Sequence, residues 1–186
     1  MRITGGAAKG RVLKSLRGIK IRPTSDMVRE AIFSLLGQDL TGRNVLDLFA
    51  GSGSLGLEAL SRGASWALFI DYSVQSINMI NKNLHLLGFK AMGAVIKKDL
   101  RRGLSFQHPY LKKRFDLVFL DPPYGMEFLL PLLKGISERG LLSPSSEVVT
   151  ESSKDDLLPA RLKHLHLINS RTYGETKIDI YHVLEK

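Results

Sequence analysis

The stretch VLDLFAGSGSLGLEAL, residues 45–60, decides the fold expected for this chain. It begins with an apolar run typical of a β-strand, continues with GSGSLG at residues 51–56, and ends in a helix-like apolar pattern. A G-x-G-x-x-G loop between a strand and a helix is the fingerprint of dinucleotide-binding folds. The stretch therefore predicts an α/β fold that binds a ligand at this loop, and it leaves open which ligand that is.

Strand-like and helix-like segments alternate on both sides of the loop. The strand-like patterns are NVLDLF, WALFID, AVIKKD, FDLVFLD and SEVVTES, and the helical patterns fall in RPTSDMVREAIFSLL, at residues 54–62, at 74–87 and near 126–137. Such alternation predicts a parallel sheet covered by helices on both faces. Two alternating runs around Tyr173-Gly174 predict a closing antiparallel hairpin.

The composition is that of an ordinary globular protein. The 186 residues are 44% apolar and 24% charged, which suits one domain or one domain with a small appendage. There is no cysteine, which excludes disulfides and cysteine nucleophiles, and the five histidines are scattered, so no metal site is expected. We find no signal-peptide pattern and no apolar run of membrane-spanning length. The expectation is a cytoplasmic protein with no membrane partner, and nothing in the sequence demands more than a monomer.

Positive charge is concentrated at the start of the chain. The net charge is +9, and residues 1–22 contain seven lysines and arginines and no aspartate or glutamate. Glycines and strand-like apolar residues in the same segment predict a basic β-hairpin arm over residues 1–22, followed by the main domain over residues 23–186. Such an arm attracts polyanions because their counterions are released on binding. A merely solvated tail is the alternative interpretation.

Four aspartates lie in or at the end of four successive predicted strands: Asp47, Asp71, Asp99 and Asp121. Ligands of open parallel sheets bind outside the carboxyl ends of the strands, so these acids predict a negatively charged site. Helix N-caps are the alternative role for each of them. An acid at Asp47, four residues before Gly51, would repel a pyrophosphate. It favours a cationic ligand such as S-adenosylmethionine (SAM), whereas Asp71 could accept from ribose hydroxyls of either ligand.

The stretch FDLVFLDPPYG, residues 115–125, indicates the chemistry. Two prolines end the strand and stiffen the loop that follows it. The carboxylate of Asp121 and the carbonyl of Pro122 can together accept both hydrogens of a planar amino group, which frees its lone pair for attack. Tyr124 can stack on the base that carries this amino group. A Pro-Pro turn with a buried tyrosine is the alternative.

Several segments together resemble one known family, the RsmD family of guanine-N2 methyltransferases that act on the RNA of the bacterial small ribosomal subunit. The resemblance covers nearly the whole chain and is carried, in order, by MRITGGAAKGRVL, RPTSDMVREAIFSLL, VLDLFAGSGSLGLEALSRGA, FDLVFLDPPY and TYGETKIDIY. It implies a Rossmann-like class I SAM methyltransferase with a mostly parallel seven-stranded sheet. Helices on both faces, a closing antiparallel hairpin and a small N-terminal β-hairpin arm complete the implied fold.

The resemblance also implies the functional residues. SAM would be held by Asp47, Gly51, Ser52 and Gly53 at its methionine part, by Asp71 at the ribose, by Asp99 and the backbone of Leu100 at the adenine, and by the block that contains Arg22 and Thr24. The guanine N2 would be oriented by Asp121 and Pro122, with Tyr124 stacked on the base. The partner would be 16S ribosomal RNA, in the small subunit or its assembly intermediate, and it would be bound by Arg2, Lys9, Arg11, Lys14, Arg17 and Lys20.

Three other functions fit part of the sequence. DNA adenine or cytosine amino methyltransferases share DPPY, but they usually carry a separate recognition domain for which 186 residues leave no room. An NAD(P) oxidoreductase fits the glycines and leaves both Asp47 and DPPY unexplained. A non-catalytic RNA-binding protein on the same fold is the third alternative, because fold does not fix function.

Overall fold

The computed structural model describes residues 1–15, 26–103, 108–123 and 128–184. The chain folds into two compact units, Met1–Lys98 and Asp99–Lys186. Within the described residues, no helix combines the length and the apolar character that a membrane span requires.

Unit 1 is a three-stranded parallel sheet with helical connections. Its elements are α1 (Asp26–Leu36), β1 (Asn44–Leu48), α2 (Ser54–Ser61), β2 (Trp66–Asp71), α3 (Val74–Leu87) and β3 (Gly93–Lys97). The strand order is β3-β2-β1, and both pairs are parallel. Parallel strands joined by helices confirm the α/β prediction for this part of the chain.

The ends of α3 show why its bounds could be predicted. The Ser73 side chain caps the first turn by accepting from the backbone N–H of Ser76, and Gly88 ends the helix in a left-handed conformation. On α1, the predicted apolar face is buried at Val28, Ile32 and Leu36, whereas Leu35 is only half-buried.

Residues 1–15, here called the N-terminal segment, fold back on themselves and pack onto the rest of unit 1. The predicted regular β-hairpin is replaced by one antiparallel bridge, Arg2 with Val12. Ile3, Ala8 and Leu13 are buried. These apolar residues anchor the segment in the core, whereas Arg2, Lys9, Arg11, Val12 and Lys14 are exposed. The rest of the predicted arm, residues 16–22, lies outside the described residues.

Unit 2 contains the second half of the predicted elements. They are β4 (Phe115–Leu120), α4 (Leu129–Glu138), β5 (Leu142–Ser153), β6 (Arg161–Leu162), β7 (Leu165–Tyr173) and β8 (Thr176–Val183). Within unit 2 the order is β4-β5-β8-β7-β6, with β4 and β5 parallel and the other pairs antiparallel. The hairpin of β7 and β8 confirms the predicted closing hairpin. The described residues hold eight strands in place of the expected seven, because the two-residue strand β6 pairs with the start of β7.

Candidate functional site

The loop after β1, residues 49–53, is here called the cofactor loop. Its backbone is left-handed at Phe49 (φ 59°), Gly51 (φ 55°) and Gly53 (φ 79°). The Gly53 N–H donates to the Ala50 carbonyl at 2.6 Å, and the Ala50 N–H donates to the Ile70 carbonyl of β2 at 3.1 Å. The loop is therefore a tight turn tied to the neighbouring strand. A positive φ is costly at Phe49, since that residue has a bulky side chain.

Two glycines of the loop have different roles. A Cβ on Gly53 would lie 3.1 Å from the side chain of Ile80, so this glycine allows α3 to pack closely. A Cβ on Gly51 would meet only the Phe49 carbonyl oxygen, at 3.8 Å, among the described atoms within 4 Å. The backbone at Gly51 is thus accessible to a ligand on that side.

Asp71, the last residue of β2, connects that strand to the cofactor loop. Its Oδ2 accepts from the Gly51 N–H at 2.8 Å, and its Oδ1 accepts from the Ser73 N–H at 2.8 Å. A carboxylate has about four lone-pair positions, so each oxygen can accept a further hydrogen bond. The side chain fits the predicted ribose contact and also shapes the loop.

Asp47 in β1 is a buried carboxyl group beneath the loop. Its Oδ2 accepts from the Gly56 N–H in α2 at 2.9 Å. Burial raises the pKa of Asp47 to about 7, the Gly56 hydrogen bond opposes the shift, and the charge of Asp71 adds to it. A Cβ on Gly56 would overlap the Phe69 ring, so the third glycine of the motif serves helix–strand packing.

Unit 1 contains groups whose chemistry fits the methionine and ribose parts of SAM. The accessible backbone at Gly51 suits the methionine part, and the spare lone pairs of Asp71 suit ribose hydroxyls. The buried carboxyl of Asp47 gains from a nearby cation, which the ammonium and sulfonium of SAM provide. Ser52 is half-buried in the same loop, and its Oγ lies 3.9 Å from the Met1 sulfur.

In unit 2, Asp121 and Pro122 follow directly after β4. Leu120, the last strand residue, is buried, whereas Asp121 and Pro122 are half-buried and Pro123 is exposed. The chain thus leaves the core at the predicted acceptor motif. Pro122 has no backbone N–H, and the use of its carbonyl as an acceptor stays a prediction.

Asp99 differs from the expectation that it lies at the end of a strand. It follows the end of β3 by two residues and caps the 3₁₀ turn Leu100–Arg102. Its carboxylate accepts from the Arg101 backbone N–H at 3.1 Å and pairs with the Arg101 guanidinium at 2.8 and 2.7 Å. For Asp99, this geometry favours the alternative role of a helix N-cap. Leu100 is buried, and the adenine contact of both residues stays a prediction.

The predicted RNA-binding residues of the N-terminal segment are exposed. This holds for Arg2, Lys9, Arg11 and Lys14, and the Arg11 guanidinium also donates to the Leu86 carbonyl at 2.8 Å. Five predicted site residues lie outside the described residues: Arg17, Lys20, Arg22, Thr24 and Tyr124.

A buried ionic cluster was missed by the sequence analysis. Glu58 accepts from Arg29 Nε at 3.3 Å and from Arg62 Nε at 2.9 Å. The same carboxylate accepts the backbone N–H groups of Thr4 at 2.9 Å and Gly5 at 2.8 Å. Glu58 and Arg29 are fully buried. The cluster therefore holds the N-terminal segment against α1 and α2, and no sequence signal linked residues more than 50 positions apart.

Comparison with known proteins shows the family. The family model described as "Conserved hypothetical protein 95" matches residues 1–182. YlbH of Bacillus subtilis (strain 168) is 39% identical over 183 residues, which span 97% of this chain and 98% of the relative. Ribosomal RNA small subunit methyltransferase D of Haemophilus influenzae is 33% identical over 182 residues, which span 97% of this chain and 93% of the relative.

Solved structures agree with the sequence relatives. The structure of yhhF from Escherichia coli matches with a TM-score of 0.87 and 30% identity, over 100% of this chain and 99% of that one. An RNA methyltransferase from Salinibacter ruber, solved with S-adenosyl-L-homocysteine, has a TM-score of 0.65 over 88% of this chain and 95% of its own. Its identity is 18%, so this likeness concerns the fold.

The fold and the cofactor loop define a class I SAM-dependent methyltransferase. The chain belongs to the RsmD-like family within that class. The cofactor predicted from Asp47 and the glycine loop is thereby confirmed as SAM, and the NAD(P) alternative is set aside.

Proposed function

We propose that this methyltransferase transfers a methyl group from SAM to the exocyclic N2 amino group of a guanine in the 16S ribosomal RNA of the small ribosomal subunit. Relatives that match 97% of the chain are named ribosomal RNA small subunit methyltransferase D, which supports ribosomal RNA as the substrate class. The observation that carries the target atom is the Asp121-Pro122 pair directly after β4, since this pair suits an amino group.

The residues predicted from the sequence would hold the cofactor. Asp47 would face the cationic methionine part, Gly51, Ser52 and Gly53 would line it with backbone, and Asp71 would bind the ribose. Asp99 and Leu100 would meet the adenine, and Arg22 and Thr24 would complete the site. When bound, SAM supplies an electrophilic methyl group on a sulfonium that is already a good leaving group.

The protein's own contribution would be orientation of the amine. The lone pair of an aromatic amino group is conjugated with the base, so the group is a poor nucleophile. The Asp121 carboxylate and the Pro122 carbonyl would each accept one N2 hydrogen and draw the group toward a pyramidal geometry. Tyr124 would set the plane of the guanine by stacking. Positioning and preorganised polar contacts of this kind are the main sources of rate acceleration.

RNA would be held by the exposed basic side chains of the N-terminal segment. Arg2, Lys9, Arg11 and Lys14 present cations there, with Arg17 and Lys20 following in the sequence. We keep the interpretation that residues 1–22 act as an RNA-binding arm and residues 23–186 as the catalytic domain. The buried Ile3 and Leu13 would give that arm a fixed position for the phosphate backbone.

The test is identification of the methylated nucleoside. Purified protein is incubated with methyl-labelled SAM and small ribosomal subunits from cells that lack this protein, and the RNA is digested and separated by chromatography. Label in N2-methylguanosine of 16S RNA is the expected result. Label in another nucleoside, or incorporation into DNA in parallel reactions, would contradict the proposed target.

A further inference from the structure

Asn83 of α3 is a fully buried amide that the proposed mechanism does not use. Its Oδ1 accepts from the Lys14 backbone N–H at 2.9 Å, and its Nδ2 donates to the Lys14 carbonyl at 3.1 Å. The same Nδ2 donates its other hydrogen to the Ser52 carbonyl at 3.2 Å. One side chain thus joins the backbone of the N-terminal segment to the backbone of the cofactor loop.

The chemistry of the amide explains why the residue at this position is asparagine. The Lys14 backbone offers one donor and one acceptor, and the Ser52 carbonyl is a second acceptor. A carboxamide supplies the required acceptor and two hydrogens from one rigid plane, which a carboxylate or a hydroxyl cannot do. Because the amide is buried, displacement of either backbone leaves a polar group unpaired, which is unfavourable.

A second contact joins the same two segments. The Met1 sulfur lies 3.9 Å from the Ser52 Oγ, so the first residue of the N-terminal segment contacts Ser52 directly, whereas Lys14 is linked to Ser52 through Asn83. Ser52 lies between the two left-handed glycines, Gly51 and Gly53, in the loop that the proposed function assigns to the methionine part of SAM. A shift of the N-terminal segment would therefore shift the loop.

We propose that Asn83 is a positioning residue that couples the N-terminal segment to the cofactor loop. Cofactor binding then holds the segment in place, and by reciprocity a polyanion that immobilises the segment tightens cofactor binding. Lys9, Arg11 and Lys14 are exposed on this segment and supply the positive charge that an RNA backbone would contact. The RNA half of the inference rests on the proposed function, whereas the link between loop and segment rests on the contacts of Asn83.

The first experiment needs no RNA. Amide hydrogen exchange at Lys14 is measured with and without S-adenosylhomocysteine, which binds without reacting. We expect the bound nucleoside to slow exchange at Lys14 by about fivefold or more, the lower range of typical coupling. In Asn83→Ala, the affinity for S-adenosylhomocysteine falls by about fivefold, as for one lost hydrogen bond, and the effect on Lys14 disappears. Unchanged Lys14 exchange in the wild-type protein would overturn the coupling, and this readout requires no variant to fold.

Ser61→Ala is the matched control. The Ser61 hydroxyl accepts from the Ala8 N–H at 2.9 Å and donates to the Gly5 carbonyl at 2.6 Å, so it also anchors the N-terminal segment through two hydrogen bonds. These bonds end on α2 and do not involve Ser52. The control should lose stability and keep the response of Lys14 to S-adenosylhomocysteine. Loss of that response in both variants would show that Asn83 has a general structural role only.

The second experiment measures affinity for labelled S-adenosylhomocysteine with and without unmethylated small ribosomal subunits. We expect the subunits to tighten binding of S-adenosylhomocysteine to the wild-type protein and to leave its affinity for Asn83→Ala unchanged. Subunits that bind the protein and leave the affinity unchanged would overturn the RNA half of the inference. Subunits that fail to bind would contradict the proposed function, while the exchange experiment would still report on the link between loop and segment.

Discussion

The Asp71 carboxylate holds the cofactor loop from the neighbouring strand: its Oδ2 lies 2.8 Å from the backbone nitrogen of Gly51, twenty residues earlier in the chain. The other oxygen, Oδ1, accepts from the Ser73 N–H at the start of α3. One acid thus fixes both the loop after β1 and the turn after β2. The residue that the sequence suggested as a ribose ligand is also part of the framework that shapes the site.

Asp71→Asn is expected to weaken binding of S-adenosylhomocysteine by about 10- to 100-fold, the range for hydrogen bonds to a charged group. The amide keeps one acceptor oxygen, but its NH₂ then faces a backbone N–H that has lost its acceptor. Isothermal titration calorimetry measures the change. Asp155→Asn, an exposed acid, is the control and should bind as the wild type does. Equal affinity in the two variants would remove Asp71 from the cofactor site.

Asp47 predicts a pH dependence of stability. Burial raises the pKa of Asp47 from 3.8 to about 7 in the folded protein, so its carboxyl is protonated in both states below pH 4. As the pH rises from 4 to 7, the unfolded chain ionises first, and the free energy of unfolding of the cofactor-free protein falls. Relative to Asp47→Asn, the loss is on the order of 2–4 kcal/mol. Urea unfolding of the wild type and Asp47→Asn between pH 4 and 7 measures this loss. The same pH dependence of the free energy of unfolding in both proteins would contradict a buried Asp47 carboxyl with a raised pKa.

Substitutions at two glycines of the N-terminal segment measure the cost of close packing apart from the cost of backbone strain. Gly6 (φ +74°) and Gly10 (φ +82°) are both left-handed, but a Cβ on Gly6 would overlap the Ser61 carbonyl, whereas within 4 Å of a Cβ on Gly10 there is no described atom. Gly10→Ala should cost about 1–2 kcal/mol, from the left-handed backbone alone. Gly6→Ala should cost about 2 kcal/mol more, the range for overpacking, since the segment must move away from α2. Thermal unfolding compares them, and equal losses would argue against close packing at Gly6.

The buried cluster around Glu58 predicts a large effect on stability. Glu58→Gln removes the buried anion that Arg29 and Arg62 share, and only the half-exposed Asp26 still pairs with Arg29. We expect a loss of about 3 kcal/mol in the free energy of unfolding. Glu175→Gln is the control, because the Glu175–Lys154 pair is exposed and should contribute less than about 1 kcal/mol. Denaturant unfolding measures both. A loss at position 58 as small as at position 175 would contradict the role of the cluster.

Local signals explain which elements could be predicted from sequence. The strand WALFID and the helix at residues 74–87 are observed with the predicted bounds. An uninterrupted apolar run defines the strand, and the caps Ser73 and Gly88 define the two ends of the helix. Strand β6 was missed because two residues carry no periodic pattern. It exists only through its pairing with β7.

Contacts between distant segments explain the remaining errors. No sequence signal predicted that Arg29 is fully buried, because the partner that pairs with it, Glu58, lies 29 residues away. Asn83 gave no signal either, since a polar residue on a helix is ordinarily exposed. Asp99 was expected in or at the end of a strand, but it follows β3 by two residues, and its carboxylate pairs locally with Arg101. Sequence patterns thus located the loop and its acids and missed the polar groups that support them.

The central claim is that Asp121 orients the amino group that accepts the methyl group. The most direct measurement is single-turnover methyl transfer to unmethylated small ribosomal subunits by Asp121→Ala, with S-adenosylhomocysteine affinity determined on the same preparation. The account predicts a rate lower by about 10²–10³, the scale for one lost preorganised contact, with cofactor affinity within about twofold of the wild type. A near-normal rate, or a loss explained by weaker cofactor binding, would contradict it.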